Sequence, residues 1–411
     1  MASAQGSNEA LIVDGVRTPR GRGKAGGGLH ELHPQELLAQ VLNSLVARSG
    51  IPVTDVEDVI AGNGSNEGDH GQNIARMSVL AAGWDPSVPG TTVNRFCGSG
   101  QQAIMFAAQG LRAGDQDLVV AGGVESTSRF GPPSLLGAGN QRLRERHPMV
   151  HQGVAADLIA TLEGFGRADV DAVGLASQQR AGAAIAEGRF DRSIVAVHHP
   201  DGSLALDCDE HPRPSVTPED LARLKPSFAG IGATPDPDSG RTQDQICADL
   251  YGVAAVDHVH HAGNSSGRVD GAAAMLMASR RYAEAHGLTA RARVVSMALA
   301  GAEPVIMLTA PTPAARRCLD KAGMSVSDID LWEINEAFAA VPLKTINDLK
   351  IDPERVNVNG GAIALGHPIG ASGAILVQTV LDELERRDLE RGLVVMCTGG
   401  GMATATIIER V

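Results

Sequence analysis

Ala322-Gly323-Met324-Ser325-Val326-Ser327-Asp328-Ile329-Asp330-Leu331 restates Ser49-Gly50-Ile51-Pro52-Val53-Thr54-Asp55-Val56-Glu57-Asp58 from the other end of the chain. Gly50 pairs with Gly323, Asp55 with Asp328, and further on Ser99 with Ser372, each pair 273 residues apart. An offset held across about fifty residues marks the duplication of one αβ unit. Around the first copy, residues 11–13, 56–61 and 118–123 read as strands, and residues 34–47 and 75–82 as helices. Such alternation implies an α/β chain of mostly parallel sheets covered by helices. Duplication also implies two equivalent helix starts facing each other, with Cys97 in one and His367 just before the other.

Working outward, residues 1–125 with about 267–290 form the first half and residues 291–411 the second. Between them, residues 126–266 stand outside the repeat, rich in Pro, Gly, Asp and His over 197–218 and 232–240. This segment reads as an inserted loop domain with short helices such as 173–187, a usual place for binding residues. The 411 residues, 43% hydrophobic, suffice for two or three domains or one composite core. A formal net charge of -13 disfavours nucleic acid and anionic membranes as partners, so a phosphate-bearing substrate would need a local basic patch. Five dispersed cysteines without a CxxC indicate free thiols in a reducing, cytoplasmic setting. The polar stretch Met1 to Ala10 does not read as a signal peptide, and no run approaches the ~18 apolar residues of a membrane helix.

Four stretches carry chemistry. Thr91-Thr92-Val93-Asn94-Arg95-Phe96-Cys97-Gly98-Ser99-Gly100 runs a strand through a cysteine into a small-residue helix. A sulfur there is expected below its ordinary pKa of ~8.5, because unpaired N–H groups and the helix dipole favour thiolate. A small buried hydrophobe is the other reading. His367 lies between two glycine-rich turns in Val358-Asn359-Gly360-Gly361-Ala362-Ile363-Ala364-Leu365-Gly366-His367-Pro368-Ile369-Gly370-Ala371-Ser372-Gly373, before the apolar run Ala374-Ile375-Leu376-Val377. Its ring is either held at a helix entrance for chemistry or a core filler. Cys397 closes the apolar run Leu393-Val394-Val395-Met396 and opens Cys397-Thr398-Gly399-Gly400-Gly401, whose backbone N–H groups suit an oxyanion hole as well as a plain turn. Asn335, in Glu333-Ile334-Asn335-Glu336-Ala337-Phe338, follows a strand where a carboxamide orients a water or caps a helix. His258-Val259-His260-His261 lacks metal-ligand spacing and reads as a polar loop.

Taken together, Asn-x-x-Cys-x-Ser-Gly at Asn94 to Gly100, Asn-Glu-Ala-Phe at Asn335 to Phe338, Gly-His-Pro-x-Gly-x-Ser-Gly at Gly366 to Gly373 and Cys-x-Gly-Gly-Gly at Cys397 to Gly401 resemble the thiolase family. The resemblance spans nearly the whole chain. It implies the thiolase fold, two duplicated βαβ-type halves in a layered α-β-α-β-α arrangement with an inserted loop domain. It also implies an acyltransferase that cleaves 3-ketoacyl-CoA with CoA or runs the reverse Claisen condensation, in fatty acid metabolism such as β-oxidation. Cys97 would be the nucleophile, His367 the base for Cys97 and for the incoming CoA thiol, and Cys397 the acid or base at the acetyl-CoA α-carbon. His367 with an Asn335-held water would form one oxyanion hole, and the Cys97 and Gly399 N–H groups another. Ser266, Phe338, Arg213 and Lys225 would meet CoA, and His151 and Gln152 the acyl group. Acyl-CoA and CoA are the implied partners, with no metal and no tightly bound cofactor, in a homodimer or homotetramer. Gln152 stands where short-chain members often have Met, and residues 235–256 exceed the common pattern; both put acetoacetyl specificity in doubt. The competing reading is a non-catalytic acyl-CoA- or sterol-binding relative, against which the intact Cys/His/Cys set speaks.

Overall fold

The computed structural model describes residues 9–130, 139–237 and 239–411. Most of the polar N-terminal stretch, and parts of the inserted segment, lie outside the described residues. In chain order the strands are β1 (Ala10–Arg17), β2 (Gly21–Arg22), β3 (Asp58–Gly62), β4 (Gly90–Val93), β5 (Leu118–Ser126), β6 (Val197–His198), β7 (Leu204–Leu206), β8 (Val269–Ser279), β9 (Ala292–Gly301), β10 (Leu331–Ile334), β11 (Arg391–Thr398) and β12 (Met402–Arg410). The helices are α1 (Pro34–Ser49), α2 (Ile74–Ala81), α3 (Ser99–Ala113), α4 (Gln141–Arg146), α5 (Gln152–Glu163), α6 (Arg167–Ala186), α7 (Pro218–Ala222), α8 (Ala229–Gly232), α9 (Gln243–Tyr251), α10 (Arg280–Ala285), α11 (Pro311–Ala322), α12 (Ala340–Leu349), α13 (Ala362–Leu365) and α14 (Ile369–Arg387).

The repeat is built from the same parts. Helices α1 and α11 both stop at a left-handed glycine, Gly50 at φ 67° and Gly323 at φ 65°, a conformation that residues with a Cβ rarely adopt. One-turn helices at Val53–Asp55 and Val326–Asp328 lead into β3 and β10. Strands β5 and β11 then lie beside them in parallel pairing.

Ten strands form one sheet in the order β10-β11-β12-β9-β1-β8-β5-β3-β4, with β2 added beside β8. Parallel pairing is confined to β3 with β4, β3 with β5, and β10 with β11. All other ladders of this sheet are antiparallel, which corrects the expectation of mostly parallel sheets. The cause is connectivity: helical crossovers make the parallel pairs, whereas β12 returns beside β11 through a glycine hairpin and β8 returns beside β5 after the inserted segment.

Layers follow from which faces are apolar. Helices α1 and α2 cover the outer face of the first half, and α11 covers that of the second. Helices α3 and α14 lie between them, packed on each other and on β5, and share one buried core with residues of β8 and β11. Their contact is a close backbone approach. A Cβ on Gly100 would stand 2.7 Å from the Gly370 carbonyl, and one on Gly373 2.4 Å from the Gln101 nitrogen.

The inserted segment is more helical than its composition suggests. Helix α6 extends well beyond residues 173–187, and residues 235–256, read as excess loop, contain α9. Ile246 and Cys247 of α9 are buried in a core shared with α5, the segment 305–308 and Phe338. Among the described residues no helix is long and apolar enough to cross a membrane.

Because Gly373 meets main chain instead of a movable side chain, Gly373→Ala should destabilise the protein by about 1–3 kcal/mol through overpacking. Gly230→Ala, at a position with open space and an unstrained φ, should not lower the urea midpoint. Equal midpoints for the two variants would contradict the close helix contact.

Candidate active site

Strand β4 ends at Val93 and α3 begins at Ser99, so Cys97 sits in the turn between them and not within the strand. Side chains close that turn. The Asn94 carboxamide oxygen accepts from the Phe96 N–H at 2.8 Å, and Ser99 Oγ accepts from the Arg95 N–H at 2.9 Å. Phe96 is forced to φ 47°, uncommon for a residue with a Cβ, and the thiol of Cys97 is delivered into the interior.

Opposite lies the hairpin of β11 and β12. Its turn needs glycine at Gly400 and Gly401, where φ is 75° and 76°. The Gly399 N–H is thereby directed at the Cys97 sulfur, as is the cysteine's own N–H. Burial, reinforced by the neighbouring Cys397, pushes the Cys97 thiol up to about 12. This corrects the expected low value: the helix start is present, but removal from water outweighs it.

Cys397 is fully buried, and burial pushes its thiol up to about 11. Asn335 follows β10 directly, and its Nδ2 donates to the Cys397 sulfur at 3.6 Å. The carboxamide therefore caps no helix, and its Oδ1 is buried without a partner.

His367 precedes α14. Its backbone N–H donates to the Gly267 carbonyl at 2.8 Å, and Gly366 before it takes φ 91° with Val269 packed where a Cβ would stand. Ser372 Oγ gives its one proton to the Pro368 carbonyl at 2.9 Å and lies 2.6 Å from His367 Nδ1. Nδ1 must then be the protonated nitrogen, which leaves a lone pair on Nε2. Nε2 is buried and unpartnered, and burial with the nearby Arg20 cation pulls the imidazole down to about 4.

Glu125 ties these parts together. Its Oε2 accepts from the Gly64 N–H at 2.8 Å and from the Gly370 N–H at the start of α14 at 2.9 Å. Burial raises this carboxyl to about 7.

A column of rings adjoins the thiols: His151, Phe228, Phe338 and His260 stand in sequence with centroids 5.5, 5.7 and 5.7 Å apart. Ser266 joins it through its backbone N–H, which donates to the Ala337 carbonyl at 2.9 Å. Gln152 opens α5 directly after His151, whose N–H donates to the Gln243 carboxamide of α9 at 2.6 Å. Arg213 and Lys225 lie on the exposed face of the inserted segment.

Sequence reasoning therefore identified the residues that converge here, Cys97, His367, Cys397, Asn335 and Gly399. It missed Ser372, Glu125 and Phe228. Ser372 had a readable signal, five residues beyond His367 in the glycine turn; Glu125 and Phe228 become visible only through the fold. Residues 258–261 do form a polar loop without helix or strand, but a largely buried one: His260 and His261 are buried against Asp157 and Asp171, and His258 is held up at about 9 by Asp157, against its burial, with help from Asp244.

The geometry can be set beside known proteins. Residues 10–248 match the family model described as thiolase, N-terminal domain, and residues 288–410 that of thiolase, C-terminal domain. The chain is 41% identical to the steroid 3-ketoacyl-CoA thiolase FadA6 of Mycobacterium tuberculosis, over 98% of this chain and 94% of that one. It is 40% identical to the β-ketoadipyl-CoA thiolase of Pseudomonas aeruginosa, over 98% and 100%. The crystal structure of the acetyl-CoA acetyltransferase of Bacillus anthracis superposes with a TM-score of 0.84 at 35% identity, covering 99% and 100%.

A raised thiol beside a neutral imidazole predicts how Cys97 reacts at rest. Its alkylation by iodoacetamide should keep accelerating from about pH 6 to about pH 10, since thiolate is scarce at neutrality. A rate already flat near pH 6 would reveal a thiolate–imidazolium pair instead.

Proposed function

This chain belongs to the thiolase family and is an acyltransferase, and from that premise we propose how its residues divide the CoA-dependent cleavage of a 3-ketoacyl-CoA. The observation that carries the assignment is the convergence of two buried thiols, an imidazole with a free Nε2 lone pair, and the Gly399 N–H aimed at the Cys97 sulfur.

Cys97 gives its proton to His367 Nε2 as its sulfur bonds the 3-keto carbon. The Cys97 and Gly399 N–H groups stabilise the resulting oxyanion. As the carbonyl re-forms, the bond between C2 and C3 breaks, and its electron pair leaves as the acetyl-CoA enolate, which takes a proton from Cys397. The imidazolium then returns its proton to the Cys397 thiolate, the direction set by values of about 4 and about 11. CoA loses its thiol proton to His367, bonds the acyl carbon and expels Cys97, which recovers that proton. Asn335 beside Cys397 supplies the carboxamide of the enolate's oxyanion hole. Condensation is the same path reversed.

We assign the CoA contacts to Ser266, Phe338, Arg213 and Lys225, and the acyl end to His151 and Gln152. Ser266 and Phe338 are supported by their place beside Asn335 and the ring column. Residues 126–266 serve as the binding segment between the two halves, 1–125 with about 267–290 and 291–411. The polar Gln152 and the support of His151 by α9 favour an acyl group larger or more polar than that of acetoacetyl-CoA. Free cysteines support a reducing, cytoplasmic setting, and the family resemblance adds a homo-oligomer acting in fatty acid breakdown.

Intact-mass spectra after mixing with an acyl-CoA should show an acyl adduct on the wild type, none on Cys97→Ala, and a slowly formed one on Cys397→Ala. Wild-type-level acylation of Cys97→Ala would remove it as nucleophile. Asn335→Ala should lower kcat about 10²-fold or more, as loss of an oxyanion-hole group does. A cleavage assay across short, long, branched and carboxylated 3-ketoacyl-CoAs reads the substrate class, and a preference for acetoacetyl-CoA would overturn the assignment of Gln152.

A further inference from the structure

Arg20 is a buried cation whose hydrogen bonds are incomplete. It is 3% exposed, in the turn after β1. Its backbone N–H donates to Asp209 Oδ1 at 2.8 Å, but the Asp209 carboxylate spends its strong contacts on Arg17, at 2.8 and 2.9 Å. Among the described residues the Arg20 guanidinium reaches only the Gly366 carbonyl, at 3.4 Å from Nη1, and its Nε has no partner. Leaving a charged group so placed is costly unless something completes it.

What it borders is the active site. Arg20, Asn335, Gly366 and Ser372 line a small, water-sized cavity floored by Ile375 and Leu376. Two of these groups carry an unpartnered buried atom of complementary kind, a donor at Arg20 Nε and an acceptor at Asn335 Oδ1. A cavity with such a pair suits one water, which can accept from the first and donate to the second.

We propose that Arg20 is a positioning residue for the active site: through one buried water shared with Asn335 Oδ1 and through the Gly366 carbonyl, it fixes the Asn335 amide and the His367 loop. The proposal rests on the roles given above to Asn335 and His367. An amide can turn over and exchange its oxygen and nitrogen. A water donating to Oδ1 holds the oxygen in the cavity and keeps Nδ2 on the Cys397 sulfur. The Gly366 carbonyl directly precedes His367, so the same guanidinium steadies the backbone that carries the base.

The charge acts in the same direction. Arg20 is pulled down to about 10 by burial and Arg17, and so remains a cation at neutral pH. Arg17, Asp209, Glu333 and Glu336 surround it, and His211 faces it from the inserted segment. Glu125, Cys97 and Cys397 occupy the thiol side. Of these, Arg20 is the charge that disfavours imidazolium at His367, after burial.

The test compares wild type, Arg20→Met and Arg20→Lys in kcat and KM for CoA-dependent cleavage across pH. Arg20→Met should lower kcat roughly 10- to 100-fold, the usual cost of losing an outer hydrogen-bond partner, with KM within about twofold. Its acid limb should move to higher pH, because His367 loses the cation that opposes its protonation. Arg20→Lys should restore the acid limb while kcat stays reduced, since an ammonium supplies the charge without the Nε–H. A purely structural role would lower the unfolding temperature and leave the acid limb in place. Should Arg20→Met fail to fold, Arg20→Lys and a high-resolution crystal structure of the wild type decide. A water within hydrogen-bond reach of both Arg20 Nε and Asn335 Oδ1 supports the proposal; a dry cavity, or full kcat in Arg20→Lys, overturns it. Acylation of wild-type Cys97 in the intact-mass experiment separates the two levels: without it the catalytic roles fall, and with it unaltered Arg20 variants sink only the role of Arg20.

Discussion

Two helices meet backbone to backbone at the centre of this protein, and the active site depends on that contact. Gly100 of α3 faces Gly370 and Ala374 of α14, while Gly373 of α14 faces Gln101 of α3, at distances where a Cβ does not fit. Gly123 on β5 repeats the condition, with its missing Cβ placed 2.0 Å from the Gly370 carbonyl. The helices touch at their first turns, and Cys97 stands just before α3 as His367 does just before α14. The duplicated Ser-Gly pair is thus a packing device between α3 and α14.

Placing the two helix starts between sheet layers also sets the charge state of the site. A group removed from water on all sides resists ionisation, so both thiols rise and the imidazole falls. Both thiols and the imidazole thus rest in their neutral forms. Around them stand oriented donors and acceptors: the Gly399 N–H, Asn335 Nδ2 and the His367 lone pair. Such an arrangement needs rigidity more than charge, and hydrogen bonds hold the dipoles: the buried contacts of Ser372 with His367 and Glu125 with Gly370, and the exposed one of Asn94 with Phe96.

The repeat was legible in the chain because it rests on local chemistry. Gly50 and Gly323 end equivalent helices in a conformation only glycine takes readily, and Asp55 and Asp328 close equivalent turns after them. Cys97, His367, Cys397 and Asn335 were legible through four motifs taken together as a family resemblance, since each setting alone reads equally as a core, turn or cap residue. Strand polarity was not, since periodicity is blind to whether a strand returns by crossover or hairpin. Nor was the pKa of Cys97: the sequence shows a helix start, but the layers that bury it come from residues hundreds of positions away, such as Thr398 against Gly98. Helix α9 was hidden in a stretch whose Pro, Asp and Gly content suggested loop, although its Thr242 and Gln245 form a capping box.

The duplicated plan also shows where the halves had to diverge. Strands β8 and β12 hold equivalent places, each antiparallel to the strand that ends its half, β5 or β11. In the second half the connection is the Gly399-Gly400-Gly401 turn, short enough that two residues must adopt positive φ and that the Gly399 N–H is left facing Cys97. In the first half the same connection is expanded into residues 127–268, whose α5 and α9 share a buried core with residues of the second half such as Val305 and Phe338. A tight turn cannot also hold a large substrate, and a long segment cannot place one amide against a sulfur with the same economy. Equivalent positions in a repeat thereby differ: one turn stays minimal and sets the Gly399 N–H against Cys97, while the other grows into a segment that carries His151, Phe228 and Ser266.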